Sequence, residues 1–222
     1  MTKLYTYCIP YDDGAAPNPY WGTCTLTICK PAIRRTAQIG DWIVGTGSKN
    51  SPIGDISGKV VYAMRVSKVM TMQEYDTWAA ANLPEKIPDA NNSDVQRKLG
   101  DSIYDFSTQP PTQRKSVHDS GNVKTDLSGK NALLSDNFFY FGDSPQQLPP
   151  NLLDIVHQTQ SHRVHLNKPF VKDFIEWLDS LDLKPNKLYG KPALEIFTIS
   201  NPCGGACARR EAAEADARVS PC

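Results

Sequence analysis

The sequence lacks any apolar run long enough to cross a membrane. No stretch of the 222 residues approaches the ~20 consecutive apolar residues that a transmembrane helix needs. Met1, Thr2 and Lys3 lead directly into a strand-like segment, without the apolar core and cleavage site of a signal peptide. We therefore expect a soluble, cytoplasmic protein with no membrane partner.

The chain also lacks net charge of either sign. Its 24 Lys and Arg residues balance 24 Asp and Glu residues, and its isoelectric point is near 6.9. Bulk attraction to nucleic acid or to an anionic membrane is not indicated, because such attraction needs an excess of positive charge. Any contact with nucleic acid has to come from a local basic patch.

The cysteines lack the spacing of a metal site. The six cysteines include no CxxC pair, and Cys203 and Cys207 have no matching Cys or His partners nearby. Cys8, Cys24 and Cys29 lie in apolar early segments, where buried reduced thiols are common. A disulfide framework is not expected in a cytoplasmic chain of this size. The sequence predicts no bound metal and no cofactor.

The best-defined pattern spans residues 39–69. A Gly40-Asp41 turn leads into an apolar strand at residues 42–44, and a Gly-rich polar loop follows at residues 45–58. Residues 59–68 then alternate between two faces, which is typical of a strand. This stretch predicts two strands joined by a mobile loop, and the rest of the chain is expected to pack around them.

Further strands and helices flank this pair. Strands are predicted at 3–9, 23–29, 100–106, 193–199 and, as two short strands kinked at residues 135–137, at 132–141. Helices are predicted from a capping box at 71–74 up to Pro84, at 150–157, and at 168–181 with Asn167 as N-cap. The long polar segment 107–129 is predicted to be either functional or disordered.

This order of elements predicts one α+β domain over residues 1–200. Its sheet is expected to be curled and largely antiparallel, forming a partly closed barrel with flanking helices. Residues 201–222 lose periodicity and are interpreted as a disordered tail or an expression artefact.

Two groups of segments resemble known families. The segments GDWIVGTGS (40–48) and GKVVYAMRVSKVMTMQEY (58–75) resemble the PUA-like barrels, including the EVE and ASCH groups. Together with the N-terminal segment 4–35, GDSIYDF, LLSDNFFYFG and SHRVHL, they are more similar to a narrower family, the nucleotide modification associated domains of the second subtype. That resemblance covers roughly residues 4–181. It implies association with systems that make, recognise or process modified nucleotides, including phage-encoded ones, and the PUA-like part implies a base-binding pocket at the barrel mouth.

Three residues of an early loop are candidates for base recognition. Asn18 can donate and accept hydrogen bonds, and Tyr20 and Trp21 offer ring faces for stacking. A purely structural role, in which the Pro-Asn-Pro segment shapes a turn and the rings cap the core, is equally open.

Two further groups are candidates for phosphate binding. Lys30, Arg34 and Arg35 form a small basic cluster suited to bidentate contact, although they could equally be a solvated face. Thr46 and Ser48 follow a predicted strand and could line an anion site, but their GTGS segment is not a Walker loop.

Histidines and tyrosines supply the candidates for acid–base chemistry. His118 lies in the long polar segment, and His162-Arg163 precedes the last helix, where the pair could hold an anion. Tyr104 and Tyr140 could contribute to a ligand site or to proton transfer. No Ser-His-Asp spacing and no GxSxG motif is present, and the histidine spacings match no zinc pattern.

Three functional hypotheses follow. The preferred one is a binding domain for a nucleotide or modified nucleobase, in which His162-Arg163 holds the phosphate and the rim of the sheet is formed by Asn18, Trp21, Thr46 and Ser48. The second is an enzyme acting on a nucleotide or modified base with His118 or His162 as general acid or base. The third is a non-catalytic subunit of a modification complex; the oligomeric state stays open.

Overall fold

The computed structural model describes residues 1–159 and 161–194. Its strands are β1 (Leu4–Ile9), β2 (Cys24–Leu26), β3 (Trp42–Gly47), β4 (Lys59–Arg65), β5 (Lys68–Thr71), β6 (Tyr104–Asp105), β7 (Thr112–Gln113), β8 (Asn131–Ser135), β9 (Asn137–Tyr140), β10 (Gln146–Gln147), β11 (His162–Arg163) and β12 (Lys187–Leu188). Its α-helices are α1 (Pro31–Thr36), α2 (Met72–Asn82), α3 (Val95–Lys98), α4 (Val123–Ser128) and α5 (Val171–Ser180). Short 3₁₀ helices cover Pro84–Lys86, Ser120–Asn122, Pro150–Ile155 and His165–Phe170. The predicted tail, and all but the first two residues of the predicted strand at 193–199, lie outside the described residues.

A mixed sheet forms the centre of the molecule. Its strand order is β11-β1-β3-β4-β9-β12, and β10 pairs with β4. The predicted central pair is confirmed, since β3 and β4 run antiparallel with Trp42 opposite Arg65. The pairs β1–β3 and β9–β12 are parallel, whereas the other pairs of this sheet are antiparallel.

The predicted PUA-like, partly closed barrel is wrong. The described sheets are open, and none is closed or strongly curled. The alternation at residues 59–68 predicts one strand, but the strand ends at Arg65. β4 belongs to the central sheet, whereas β5 belongs to a second sheet of order β2-β8-β5. The central sheet ends at β11 on one side and β12 on the other, and these two edges do not pair.

The chain moves between the two sheets at the predicted kink. Ser135 ends β8 in the second sheet, and Asn137 begins β9 in the central sheet. The Ser135 hydroxyl donates to the carbonyl oxygens of Arg65 (2.7 Å) and Asn137 (2.9 Å), which fixes the change of direction. The two short strands predicted for residues 132–141 are thereby confirmed.

The predicted capping box of α2 is confirmed. The backbone N–H of Glu74 donates to Thr71 Oγ1 at 3.1 Å, and the Thr71 backbone N–H donates to Glu74 Oε2 at 2.7 Å. The last helix begins later than predicted, at Val171, because a 3₁₀ turn containing Pro169 precedes it. Asn167 is not its N-cap; it is buried and donates to the carbonyl oxygen of Leu4. Over the described ranges the longest helix, α2, has 11 residues, and no helix is long and apolar enough to span a bilayer.

Apolar cores cover both faces of the central sheet. On one face Tyr5, Tyr7 and Ile9 of β1 pack with residues of β2 and α1, so that residues 24–37 lie over that face. On the other face Phe174 and Leu178 of α5 are 0% and 2% exposed, and each contributes ~1.5–3 kcal/mol by burial. The segment between β2 and α1 is thus held close to β1, and it carries the candidate site.

Candidate functional site

Three side chains form a relay beside the start of α1. His118 Nε2 lies 3.5 Å from the sulfur of Cys29, and His118 Nδ1 lies 2.6 Å from Asp126 Oδ2. A carboxylate oxygen only accepts, so Nδ1 carries the proton in this contact, and in the neutral imidazole Nε2 is then the acceptor that faces the thiol. The order Cys, His, Asp is that of an activated nucleophile, a base and a group that orients the base.

The backbone presents Cys29 in an unusual conformation. Cys29 and Lys30 have φ angles of 56° and 40°, a left-handed region that costs non-glycine residues ~1–3 kcal/mol each. Hydrogen bonds on both sides of Cys29 hold this turn: its N–H donates to Asp126 Oδ1 (2.9 Å), and its carbonyl accepts from Arg34 Nε (2.8 Å). The strand–turn–helix from β2 to α1 therefore places the sulfur at a fixed position next to the imidazole.

The long polar segment supplies the other two members of the relay. It is an ordered segment in which His118 precedes a 3₁₀ turn and Asp126 lies on α4. The side chains of His118 and Asp126 are only 9% and 1% exposed, so their contact is shielded from solvent. The segment is therefore ordered, and the prediction of disorder is wrong.

Asp126 is fixed by three donors. Besides His118 and the Cys29 N–H, it accepts from the Tyr104 hydroxyl at 2.9 Å on Oδ2. Burial and the nearby Asp126 carboxylate raise the pKa of Tyr104, so this hydroxyl stays a donor. The predicted ligand residue Tyr104 thus serves to position Asp126.

Arg34 holds the turn and α4 together. It is fully buried, and its guanidinium donates to the carbonyl oxygens of Cys29 (2.8 Å), Asn131 (3.0 Å) and Asp126. These bonds tie α1 to α4 and to the start of β8. The structure therefore places this predicted phosphate ligand at internal carbonyl groups.

Asp12 and Asp13 are neighbouring carboxyl groups in the loop after β1, and Asp13 lies within reach of the charge of His118. Burial raises the pKa of Asp12 to about 7, although its bonds from the Tyr140 hydroxyl (2.6 Å) and the Gly14 N–H oppose this rise. Desolvation also raises the pKa of Asp13, and attraction to His118 acts in the opposite direction. The predicted ligand residue Tyr140 is the buried donor to Asp12.

Asn18 belongs to a buried polar network. Its side-chain oxygen accepts from Lys86 Nζ at 2.7 Å, and its amide donates to the Leu99 carbonyl oxygen at 2.8 Å. Lys86 also contacts Thr25, whose hydroxyl donates to Asp101 Oδ2 at 2.6 Å. Burial lowers the pKa of Lys86 to about 8. The side-chain oxygen and amide that were expected to read a base edge are thus engaged inside the protein.

The neighbouring aromatic residues lie against the same network. Tyr20 is buried and packs at 5.5 Å, centroid to centroid, from Trp21. Trp21 is partly exposed, with Lys86 Nζ 5.5 Å and Arg97 Cζ 5.9 Å from its ring centroid. Two cationic side chains therefore already lie against the ring that is the candidate for base stacking.

Thr46 and Ser48 lie on either side of Gly47, the last residue of β3. Thr46 is a residue of the strand, and its buried hydroxyl donates to the Tyr7 carbonyl oxygen at 3.2 Å. The Ser48 hydroxyl accepts from the Asn50 N–H, and it partly offsets the rise that burial causes in the pKa of Cys8. Thr46 is therefore part of the central sheet and does not lie on a loop.

Lys30 and His162 lie on the face of β1 that carries Tyr5 and Tyr7, whereas Arg163 is paired with Thr6 and points to the opposite face. Lys30 Nζ lies 5.0 Å from the ring centroid of Tyr7, and the His162 ring lies 5.8 Å from that of Tyr5. Arg163 follows His162 on β11, and its Nε is buried without a hydrogen-bond partner.

Sequence reasoning missed Cys29 and Asp126. It assigned Cys29 to the buried core, although one signal was available: a strand-like run ends at Cys29-Lys30, and Pro31 opens a helix. Nucleophiles are often presented on strand–turn–helix segments of this kind. Asp126 had no signal, because its distance to Cys29 depends on the fold. Over residues 1–159 and 161–194, no group of three His, Cys, Asp or Glu side chains is arranged to hold a metal ion.

The chain was compared with known proteins. A family model described as nucleotide modification associated domain 2 matches residues 1–199. No curated protein and no solved structure matches the chain.

Proposed function

Because the chain belongs to the nucleotide modification associated domain 2 family, which is associated with nucleotide modification systems, we propose that it is an enzyme acting on a nucleotide or modified base through the thiol of Cys29. His118 is the general base, and Asp126 holds its imidazole in the working tautomer. The observation that carries this proposal is the continuous contact from Asp126 through His118 to the Cys29 sulfur.

The arrangement is suited to acyl transfer. His118 Nε2 takes the thiol proton, and the sulfur forms a bond to a carbonyl carbon of the substrate. The tetrahedral intermediate collapses when His118 returns the proton to the leaving nitrogen or oxygen, which leaves a thioester on Cys29. Water or a substrate amine, deprotonated by His118, then attacks the thioester carbonyl and releases the thiol.

The structure favours this hypothesis over the binding domain preferred from the sequence. A binding rim needs Asn18 and Thr46 at the surface, and both are fully buried and hydrogen-bonded to protein groups. It also needed a barrel mouth, which the open sheets do not form. The relay offers no evident advantage to a protein that only binds.

The proposal is tested by incubating the full-length chain with nucleotides whose bases carry amide, ester or acyl groups. Mass spectrometry is expected to detect a product or a thioester on Cys29, and Cys29→Ser should lower product formation at least ~10³-fold. The matched control is Cys24→Ser, which changes a buried thiol outside the relay. Unchanged nucleotides that only raise the melting temperature, or turnover that survives Cys29→Ser, would contradict the proposal.

A further inference from the structure

A group of cationic side chains lies around His162, at the edge of the central sheet. It consists of Lys30, Arg35, His157, His162 and His165, here called the cationic cluster. We propose that the cationic cluster binds the phosphate group of the substrate, so that the substrate is a nucleotide and not a free base or nucleoside. The inference rests on the proposed function for the reaction it serves, but the binding event can be measured separately.

His162 is held in place by the edge of the central sheet. It lies on β11, directly opposite Tyr7 of β1, in an antiparallel pair. Its ring packs at 5.8 Å, centroid to centroid, from Tyr5, two residues earlier on β1. Opposite residues of an antiparallel pair point to the same face, so His162 shares a face with Tyr5 and Tyr7.

Lys30 joins this face to the nucleophile. Its ammonium nitrogen lies 5.0 Å from the ring centroid of Tyr7, the residue opposite His162. Cys29 lies near the same tyrosine, because burial raises the pKa of Tyr7 and the Cys29 thiol adds to that rise. A phosphate that accepts from Lys30 is therefore held at the tyrosine that the thiol also approaches.

The groups that act on the pKa of His162 are basic. Partial burial lowers this pKa most, and His157, Lys30, His165 and Arg35 lower it further. Clustered cations repel each other, and an anion removes that cost. Lys30, His157 and His162 are partly exposed, whereas His165 and Arg35 are exposed, so a ligand can reach them.

The arrangement also sets the pH dependence of binding. The pKa of His162 lies below its ordinary value without an anion, and a bound phosphate raises it because opposite charges favour the protonated form. Protonation and phosphate binding therefore reinforce each other. Phosphate affinity is expected to increase as the pH falls from slightly alkaline to slightly acidic values.

The test measures ligand binding to the full-length Cys29→Ser variant, in which turnover is blocked. Calorimetry is run with inorganic phosphate, the deoxynucleoside 5′-monophosphates, the matching nucleosides and a single-stranded oligodeoxynucleotide. The monophosphates should bind at least ~10-fold more tightly than the nucleosides, which corresponds to one charge-assisted interaction of about 1.4 kcal/mol. Equal affinity of nucleotide and nucleoside would overturn the inference. An oligonucleotide that binds while the monophosphates do not would also overturn it, because it would assign the cluster to the phosphodiester backbone of a polymer.

Two variants assign the effect to the cluster. His162→Gln and Lys30→Met should each remove most of the preference for the monophosphate, whereas Lys172→Met, on the exposed side of α5, should leave it unchanged. Preference that survives both cluster variants would contradict the assignment. The two proposals can fail separately. If Cys29 is inert but phosphate binding is intact, only the enzyme proposal is wrong. If Cys29 is reactive but the protein does not prefer the monophosphates, only the phosphate-binding inference is wrong.

Discussion

Replacing Asp126 with asparagine is expected to slow the reactions of the Cys29 thiol roughly 10²-fold or more, the scale on which a positioned general base acts. An asparagine can turn its amide N–H₂ toward His118 Nδ1, which favours the tautomer with the proton on Nε2. That nitrogen then points an N–H at the sulfur and cannot take the thiol proton. The loss of the carboxylate also removes the charge that stabilises the imidazolium. The rate is measured as alkylation of Cys29 by iodoacetamide near neutral pH, with the modified site identified by peptide mapping.

Tyr104→Phe is the matched control for this variant. It removes a hydrogen bond to the same oxygen of Asp126 but keeps the carboxylate and its 2.6 Å contact with His118. The alkylation rate of this control should fall less than 10-fold, because the carboxylate still fixes the tautomer of His118. If Asp126→Asn and the control reduce the rate equally, Asp126 does not act through the tautomer of His118.

Replacing Arg34 with methionine is expected to lower the free energy of unfolding by ~3–5 kcal/mol, because three buried carbonyl groups each lose a donor at a cost of about 1–3 kcal/mol. Methionine fills part of the volume but donates no hydrogen bond, so the carbonyl oxygens of Cys29, Asp126 and Asn131 lose a buried donor. The left-handed turn at Cys29 also loses one of its two supports. Urea unfolding followed by circular dichroism measures the change.

Arg35→Met is the control for Arg34, because the two arginines are neighbours on α1. Arg35 is exposed, and its guanidinium donates to the Ser128 carbonyl oxygen at 2.9 Å. Removal of an exposed side chain usually changes stability by only ~0.5 kcal/mol. Similar losses for the two variants would show that the buried bonds of Arg34 do not hold the turn.

Local patterns predicted the local structure well. The capping box at Thr71 and Glu74, the central strand pair and the two strands around Asp136 depend on residues that are close in sequence, and all three were confirmed. The resemblance to the nucleotide modification associated domains was also confirmed, since the family model matches residues 1–199. This resemblance depended on short segments spread over the chain.

The open, mixed sheets could not be predicted correctly, because their arrangement depends on which strands pair. A single run of alternating residues does not show that the chain leaves one sheet at Arg65 and enters another at Lys68. Likewise, nothing in the local sequence shows that β1 and β3 run parallel, since that depends on the path of the chain between them.

The candidate site was only partly accessible to sequence reasoning for the same reason. His118 was named from its residue type and its position in a long polar segment. Its partners lie 89 and 8 residues away in the chain, at Cys29 and Asp126, and a single sequence does not show such pairing. Asn18 was assigned to a ligand because its amide suits a base edge, but the buried Lys86 uses that oxygen instead.

The central claim is tested most directly by the order in which the cysteines of the unmodified protein are alkylated, measured from slightly acidic to neutral pH. Cys8 is more exposed than Cys29, but burial raises the pKa of its thiol, and burial raises the pKa of Cys24 to about 12. An ordinary thiol with a pKa near ~8.5 is almost fully protonated under these conditions, whereas a thiol paired with a histidine reacts. We expect Cys29 to be alkylated before Cys8 and Cys24, and to lose this lead in His118→Ala. Alkylation of Cys8 ahead of Cys29 throughout this pH range would contradict an activated nucleophile at Cys29.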